Sequence, residues 1–285
     1  MESGNPSPAT TGTEDAIGSE AAVASNPRWY HTMEVGDGVV TPGWFDLRPI
    51  VDKMPWPDVA GKRCLDVGPY DGFVAFELER RGAREVIATD IADPSGWDWP
   101  LRNRATGPRG LAETAGADPG AGFKLAKRLL NSEVERIELN VYDLSPERLG
   151  SFDVVACGSL LLHLRDPVRA LEAIRSVCDG QFLSAEQIDL ALTVLRRRTP
   201  AARFRKGEAC QWWVTNTLGH RALVASGGFR VTRSTRPYSI PFGPGHPDRG
   251  RREGSIGRRL LTGGGGVPHA ALLAEPEPIE GAAAH

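Results

Sequence analysis

The chain has 285 residues, of which 40% are hydrophobic and 25% are charged, and its formal net charge is −2. These values describe an ordinary globular protein with one large or two small domains, and they give no global reason to expect nucleic acid as a partner. Because the sequence shows neither a basic and apolar leader nor an apolar run of about 18 residues, we expect neither export nor a membrane span, and a cytoplasmic enzyme is the default expectation.

Four cysteines are spread along the chain without a C-x-x-C pair. Cys64 and Cys157 fall in predicted buried strands, where a thiol acts as a small apolar filler. We therefore expect no disulfide framework and no metal site.

Composition divides the chain into four parts. Residues 1–26 contain little that is large enough to bury and are predicted to be a disordered tail. Residues 27–60 are predicted to be an N-terminal lid segment that precedes the main domain, residues 61–245. Residues 246–285, which include four consecutive glycines, are predicted to be a mostly disordered tail.

The N-terminal segment (residues 27–60) is rich in aromatic and polar residues. It begins Trp29-Tyr30-His31 and contains a Gly-Asp-Gly sequence that predicts a hairpin or a hooked loop. We predict that Tyr30, His31 and Trp44 line a pocket and that His31 is a candidate general base. The alternative is that these rings pack onto the sheet.

The main domain opens with a predicted buried strand, a glycine turn and a helix. The strand covers residues 63–67, and the turn begins at Gly68. A second strand, residues 85–89, is followed by Asp90. A strand, a turn that exposes its backbone and an acid after the next strand together predict a site for a ligand that contains adenosine.

This turn lacks two features of a dinucleotide site. Tyr70 and Phe73 stand where the second and third glycines of a dinucleotide fingerprint would fall. Between Asp66 and Gly72 there is no Lys or Arg, and two acids would repel a phosphate. A cationic ligand such as S-adenosylmethionine is therefore favoured over NAD or ATP.

The rest of the main domain alternates between predicted helices and strands, which indicates an α/β fold with a parallel sheet covered on both faces. The predicted helices are residues 73–81, 123–130, 166–177 and 218–226, and the later strands are residues 134–140, 151–157, 181–186, 229–233 and 238–240. Residues 94–122 do not fit this alternation and are predicted to be an insertion, either a functional loop or disordered, although Trp97 and Trp99 argue for some packing.

Two further segments follow strands of the predicted sheet. Asp143 comes after the third strand, where it would lie near an adenine amino group or would begin a short helical turn. Residues 157–163 follow the fourth strand and end at His163. Because ligands bind beyond the carboxyl ends of parallel strands, His163 is a candidate general base, and the alternative is a structural role.

Asp66, Gly68 and Gly72 match the first motif of the class I methyltransferases, which this chain resembles. The resemblance implies a Rossmann-like class I methyltransferase fold, with a mostly parallel seven-stranded sheet, and it makes S-adenosyl-L-methionine the expected cofactor. By the same resemblance Asp90 would hold the ribose hydroxyls. The residues expected to bind the cofactor are Asp66, Gly68, Pro69, Tyr70, Gly72, Asp90, Ile91, Asp143, Cys157, Gly158 and Ser159. The candidate catalytic residues are His163, His31 and Tyr30.

Residues 28–232 are more closely similar to the tRNA wobble-uridine carboxymethyltransferase-like group. Members that act on tRNA bind the extra carboxylate of their cofactor with a Lys before the core and with a Tyr before the motif His. This chain has Leu162 at the second position and no Lys or Arg in residues 35–46. A buried carboxylate without a partner is unfavourable, so we expect ordinary S-adenosylmethionine.

Three functions therefore remain open. The first is methyl transfer to a small-molecule acceptor. The second is tRNA modification, for which the arginines of residues 196–206 and 249–259 would contact phosphates, although such runs are more often solvated surface. The third is binding of S-adenosylmethionine without catalysis, which Tyr70 would favour by occluding the site.

Overall fold

The structure is a computed structural model that describes residues 11–115, 118–208, 210–247 and 256–278. Within these ranges the strands are β1 (His31–Thr32), β2 (Phe45–Asp46), β3 (Arg63–Val67), β4 (Glu85–Asp90), β5 (Glu135–Glu138), β6 (Phe152–Gly158), β7 (Cys178–Gln187), β8 (Ala202–Glu208), β9 (Gln211–Thr215), β10 (Phe229–Ser234), β11 (Tyr238–Ile240) and β12 (Val267–Pro276).

The α-helices of the described residues are α1 (Thr11–Ser25), α2 (Phe73–Arg80), α3 (Leu101–Arg104), α4 (Gly107–Ala115), α5 (Ala121–Leu129), α6 (Pro146–Leu149), α7 (Pro167–Ser176), α8 (Leu190–Leu195), α9 (Thr217–Ser226) and α10 (Ile256–Thr262). The predicted elements of the main domain lie within a few residues of these bounds. Asp166 begins α7 as predicted, because its side chain accepts a hydrogen bond from the backbone N–H of Arg169 (3.0 Å) and Pro167 occupies the first helical position.

The central sheet has the strand order β10-β12-β7-β6-β3-β4-β5, and the short β11 pairs with β12. The four pairings between β7 and β5 are parallel. β12 runs antiparallel to β7, to β10 and to β11. The predicted α/β fold with a mostly parallel sheet is therefore confirmed.

Apolar clusters cover both faces of this sheet. On one face, Leu78 of α2 and Phe123 of α5 pack with Trp29 from the N-terminal segment. On the other face, Leu171 of α7 and Val224 of α9 pack against the sheet. Burial on both faces is the reason that the parallel strands read as apolar runs, and it leaves their carboxyl ends as the open edge for a site.

The C-terminal part of the chain corrects one prediction. Residues 246–285 were expected to be mostly disordered, but β12 (Val267–Pro276) lies between β7 and β10 in the central sheet. Ala271 and Ala274 of this strand are fully buried. Four consecutive glycines predict a loose tail, whereas pairing with β7 and β10 makes the short apolar run after them a core strand. Residues 248–255 and 279–285 lie outside the described residues.

The N-terminal part corrects a second prediction. A disordered tail was expected over residues 1–26, yet residues 11–25 form α1, and residues 1–10 lie outside the described residues. Val23 is buried in the core, and its carbonyl accepts a hydrogen bond from Nε1 of Trp29 (3.0 Å). The alanines of this segment favour a helix, and the contact with Trp29 supplies the burial that composition alone did not reveal.

The insertion (residues 94–122) is neither a bare loop nor disordered where it is described. It contains α3 and α4, and residues 116–117 lie outside the described ranges. Trp99 is buried, packs with Leu111 and Ala115, and donates a hydrogen bond from Nε1 to the carbonyl of Pro94 (2.6 Å). The packing expected from its tryptophans is confirmed.

Candidate functional site

The turn between β3 and α2, residues 68–72, lies at the carboxyl edge of the parallel strands. Gly68 has φ +75°, and a Cβ on it would stand 3.1 Å from Cδ2 of Leu160. Gly72 has φ +95°, and its Cβ would stand 2.5 Å from the ring of Phe76 and 2.8 Å from that of Phe123. Both positions therefore favour glycine: Gly68 has a positive φ and is packed against by Leu160, and Gly72 has a positive φ and leaves room for two aromatic rings of the helices.

Asp90 ends β4 beside this turn. Its Oδ2 accepts a hydrogen bond from the N–H of Tyr70 (3.1 Å), and its Oδ1 accepts one from the N–H of Ile91 (2.8 Å). Burial raises the pKa of the Asp90 carboxyl above its ordinary value, and these two amides and the charge of Arg136 oppose that rise. A carboxylate offers about four lone-pair sites, so two are left for the hydroxyls of a ligand.

Asp66 lies beneath the turn, on β3, and is 1% exposed. Burial raises the pKa of its carboxyl to about 8, the backbone of Ala75 in α2 opposes the rise by a hydrogen bond, and the charge of Asp90 adds to it. Its Oδ2 has no hydrogen-bond partner among the described residues. Asp66 therefore supports the start of α2, and a contact with a cofactor stays a prediction.

The segment after β6 forms the neighbouring wall. Cys157 is buried, and Ser159 has φ +52° with its N–H donating to the carbonyl of Ala185 (2.8 Å). The Oγ of Ser159 is 3.1 Å from Nε2 of His269, a residue of β12. The predicted site residues of β6 are thus brought to the turn at Gly68, and the unpredicted β12 contributes to holding them.

Glu186, on β7, is a residue of this region that the sequence analysis missed. It is 3% exposed, and its Oε1 accepts hydrogen bonds from the N–H groups of Leu160 (3.1 Å) and Leu161 (3.2 Å). Its Oε2 has no partner among the described residues. Burial raises the pKa of Glu186 to about 8, and the backbone hydrogen bonds oppose this rise. The sequence signal that could have identified this residue is a glutamate within an otherwise apolar predicted strand.

The N-terminal segment is joined to the turn through Asp71, a second residue without a predicted role. Its Oδ2 accepts hydrogen bonds from the N–H groups of Tyr30 (2.7 Å) and His31 (2.9 Å), and its Oδ1 contacts Nδ1 of His31. Asp71 is 1% exposed. The structure therefore brings the predicted residues Tyr30 and His31 to the β3–α2 turn.

A cleft of about 140 Å³ opens beside Tyr70, between the N-terminal segment and the insertion. The cleft is lined by Arg28, Asp71 and Asp118 among other residues. Arg28 donates a hydrogen bond to the carbonyl of Thr114 (3.2 Å) and lies 5.4 Å from the centre of the Trp44 ring. Arg28 is thus a cation that precedes residues 35–46, which contain no Lys or Arg. Trp44 therefore contacts Arg28, which belongs to the same N-terminal segment.

Two further predicted site residues, His163 and Asp143, make contacts that do not involve the β3–α2 turn. Nδ1 of His163 is 2.9 Å from the carbonyl of Cys210 in the β8–β9 connection, and burial lowers the pKa of His163. This contact favours the structural alternative for His163, and its catalytic role stays a prediction. Asp143 is exposed at the end of a short 3₁₀ turn that Asn140 caps, so its role at an adenine is also untested.

Metal ligation and membrane insertion find no support in the described part of the chain. No group of three or more His, Cys, Asp or Glu side chains there is arranged to hold a metal ion. Among the described helices none has the length and apolar character to cross a membrane. The four cysteines are free, and three of them are buried.

Two curated proteins share partial sequence similarity with the chain. A ubiquinone biosynthesis O-methyltransferase of Neisseria meningitidis serogroup A is 32% identical over 117 residues, which are 41% of this chain and 39% of the relative. A tRNA U34 carboxymethyltransferase of Campylobacter hominis is 28% identical over 148 residues, 50% of this chain and 42% of the relative. The chain spans about two fifths of the length of these relatives. No family model matches it.

A solved structure has the same fold. The N-terminal domain of EvdMO1, crystallised in the presence of SAH and D-fucose, is 14% identical to this chain with a TM-score of 0.51, and the match covers 92% of this chain and 97% of that domain. This likeness concerns the fold alone. Together with the two sequence relatives, it confirms the predicted resemblance to class I methyltransferases.

Proposed function

We propose that the chain is an S-adenosylmethionine-dependent methyltransferase that acts on a small-molecule acceptor. The observation that carries the proposal is Asp90. It ends β4 beside the β3–α2 turn, and two lone-pair sites of its carboxylate are left after the hydrogen bonds from Tyr70 and Ile91. An acid at this position suits the two hydroxyls of a ribose.

The residues present fit this cofactor better than they fit a phosphorylated nucleotide. Asp71 and Asp90 lie in or beside the turn and would repel a pyrophosphate, whereas a sulfonium cation is compatible with them. When bound, S-adenosylmethionine supplies an activated methyl group. The protein's part is to align the acceptor with that group, and such positioning can account for much of the acceleration.

A small-molecule acceptor is supported by the N-terminal segment, because the N–H groups of Tyr30 and His31 are hydrogen-bonded to Asp71 and hold this segment beside the β3–α2 turn. The Neisseria relative, an O-methyltransferase of ubiquinone biosynthesis, supports the same class of acceptor. The cytoplasmic location expected from the sequence stays a prediction.

tRNA modification is the second candidate function, and it is supported by the surface of the β8–β9 hairpin. On the β8–β9 hairpin, Phe204 is 52% exposed and its register partner Trp213 is 37% exposed. The strand of Phe204, β8, also carries Arg203, which pairs with Asp189 (2.5 Å), and Lys206. Exposed aromatic rings among cations suit nucleic acid, and the Campylobacter relative acts on tRNA U34 by its name. This candidate requires binding of tRNA that weakens steeply as salt increases.

Isothermal titration of the full chain with S-adenosylhomocysteine tests the proposal. We expect micromolar binding that falls at least tenfold in Asp90→Ala. Glu138→Gln is the matched control. Glu138 is the exposed residue of β5 that pairs in register with Asp90, so this change removes a negative charge from the neighbouring strand position. Absence of binding by the unmodified protein would reject the proposal, and binding without any methyl transfer would favour the non-catalytic alternative.

A further inference from the structure

His31 and Asp71 form a carboxylate–imidazole pair at the edge of the proposed cofactor site. Asp71 already holds the N-terminal segment through the backbone N–H groups of Tyr30 and His31. The additional contact from Asp71 Oδ1 to Nδ1 of His31 is made by the side chain. Because a carboxylate only accepts hydrogen bonds, this contact places the proton of a neutral imidazole on Nδ1 and leaves Nε2 as the acceptor.

Nε2 of His31 makes no hydrogen bond with a described residue, and the side chain is 13% exposed. The ring lies 4.9 Å from that of Tyr30 and 5.7 Å from that of Phe73, the first residue of α2. The pair therefore presents an unused lone pair beside the turn.

Tyr30 locates the pair relative to the sheet. Its ring is 5.1 Å from that of Tyr70, and its hydroxyl lies within electrostatic range of Tyr70, Asp71 and Glu186. Asp71 follows β3 and Glu186 is near the end of β7, with β6 between these strands. Tyr30 and His31 thus lie near the carboxyl ends of β3 and β7, whereas Asp90 ends β4 on the other side of β3.

We propose that His31, oriented by Asp71, is the general base that takes the proton from an O–H or N–H acceptor, and that the Tyr30 hydroxyl donates a hydrogen bond to that acceptor. This assignment rests on the proposed methyltransferase function. The acceptor's lone pair forms the bond to the methyl carbon, and the carbon–sulfur bond breaks with its electrons left on sulfur. The acceptor proton passes to Nε2, and the resulting imidazolium is stabilised by the Asp71 carboxylate.

Burial, followed by the charges of nearby groups, raises the pKa of Tyr30 above its ordinary value, so this hydroxyl keeps its proton and serves as a donor. The acceptor class that follows is one whose O–H or N–H is largely protonated in solution, such as an unactivated phenol. An acceptor that is already ionised would not need the pair.

The first experiment needs no knowledge of the natural acceptor. The full chain is treated with diethylpyrocarbonate, with and without saturating sinefungin, which carries an ammonium group where the methyl group would be, and modification of each histidine is mapped by mass spectrometry. We expect His31 to be modified at least tenfold more slowly when sinefungin is bound. Equal rates, with sinefungin binding confirmed by calorimetry, would overturn the proposal.

The second experiment compares phenol with 4-nitrophenol at mildly alkaline pH, where only the latter is largely ionised. In His31→Gln and Asp71→Asn we expect kcat for phenol to fall about 100-fold or more, and kcat for 4-nitrophenol to fall less than tenfold. An equal loss on both acceptors, or a higher KM with unchanged kcat, would make the pair a structural contact and overturn the assignment.

Circular dichroism and S-adenosylhomocysteine binding of both variants show that a loss does not come from unfolding. If neither phenol is methylated by the unmodified protein, the carbethoxylation result decides. If the unmodified protein does not bind S-adenosylhomocysteine, the proposed function itself fails, so the two failures are distinguishable.

Discussion

The side chain of Leu160 lies directly over Gly68, so that a Cβ added to Gly68 would stand 3.1 Å from Cδ2 and 3.3 Å from Cδ1 of that leucine. Leu160 is in turn held by its N–H, which donates to Glu186 Oε1 (3.1 Å). The turn after β3, the segment after β6 and a buried acid on β7 are therefore one packed unit, and a change in any of them should reach the proposed cofactor site.

Gly68→Ala tests this unit. The substitution adds a methyl group against Leu160 and places a non-glycine residue at φ +75°, so we expect weaker binding of S-adenosylhomocysteine by about tenfold and a loss of stability of about 2 kcal/mol. Calorimetry and denaturant unfolding measure the two effects.

Gly61→Ala is the control for this substitution. Gly61 has φ +68°, but no atom lies within 4 Å of its added Cβ. The backbone strain is therefore similar while the contact is absent, and we expect a loss of stability of about 1 kcal/mol with unchanged binding. Equal effects of the two variants on binding would show that Leu160 does not matter.

Glu186 predicts a pH dependence of stability. Burial raises the pKa of its carboxyl from 4.5 to about 8 in the folded chain. Between these pH values the folded state holds a proton that the unfolded chain has lost, so the free energy of unfolding decreases as pH rises from about 5 to about 8. Glu186→Gln keeps an oxygen for Leu160 and Leu161 and should remove the share of this decrease that comes from Glu186, roughly 3 kcal/mol. The share that comes from the buried Asp66, whose pKa is also raised to about 8, should remain.

Urea unfolding at pH values of about 5 and about 8 measures this difference. Glu135→Gln is the control, because it removes a carboxylate from an exposed position on β5, and we expect a change below about 0.5 kcal/mol at both pH values. Parallel stability curves for Glu186→Gln and the unmodified protein would contradict the buried, protonated state of Glu186.

Because β12 lies between β7 and β10, we expect removal of this strand and removal of only the residues after it to affect stability differently. A chain of residues 1–262 lacks the strand between β7 and β10, so both strands gain an unpaired edge and lose the buried Ala271 and Ala274. We expect this chain to aggregate or to unfold without cooperativity in calorimetry.

A chain of residues 1–278 retains β12 and the hydrogen bond from the N–H of Glu277 to the carbonyl of Gly228 (2.9 Å). Its Tm should lie within about 4 °C of that of the full chain, a difference that corresponds to about 1 kcal/mol or less. A cooperative, soluble chain of residues 1–262 would show that β12 is dispensable.

The sequence was most informative where the signal is local. The turn from β3 into α2, the acid after β4 and the Asp-Pro start of α7 are short-range patterns, because a tight turn or a helix start depends on the backbone preferences of a few adjacent residues. For the same reason the alternation of strands and helices, and with it the parallel sheet, was predictable from apolar periodicity.

The mispredicted segments are those whose conformation depends on distant partners. Residues 267–276 form a short apolar run after glycines, and only pairing with β7 and β10 makes that run a core strand. Residues 11–25 become a docked helix only because Val23 meets Trp29. Burial of this kind is not visible in composition.

The sequence by itself determined the fold class, the position of the β3–α2 turn and the identity of Asp90, since each follows from the order of neighbouring residues. Only the tertiary structure decided that Asp71 meets His31, that Leu160 covers Gly68 and that Glu186 lies buried behind them. His31 and Asp71 are 40 residues apart in the sequence, and Gly68 and Leu160 are 92 residues apart. Leu160 and Glu186 are 26 residues apart. The packing of separate strands, rather than any local preference, brings such side chains within contact distance.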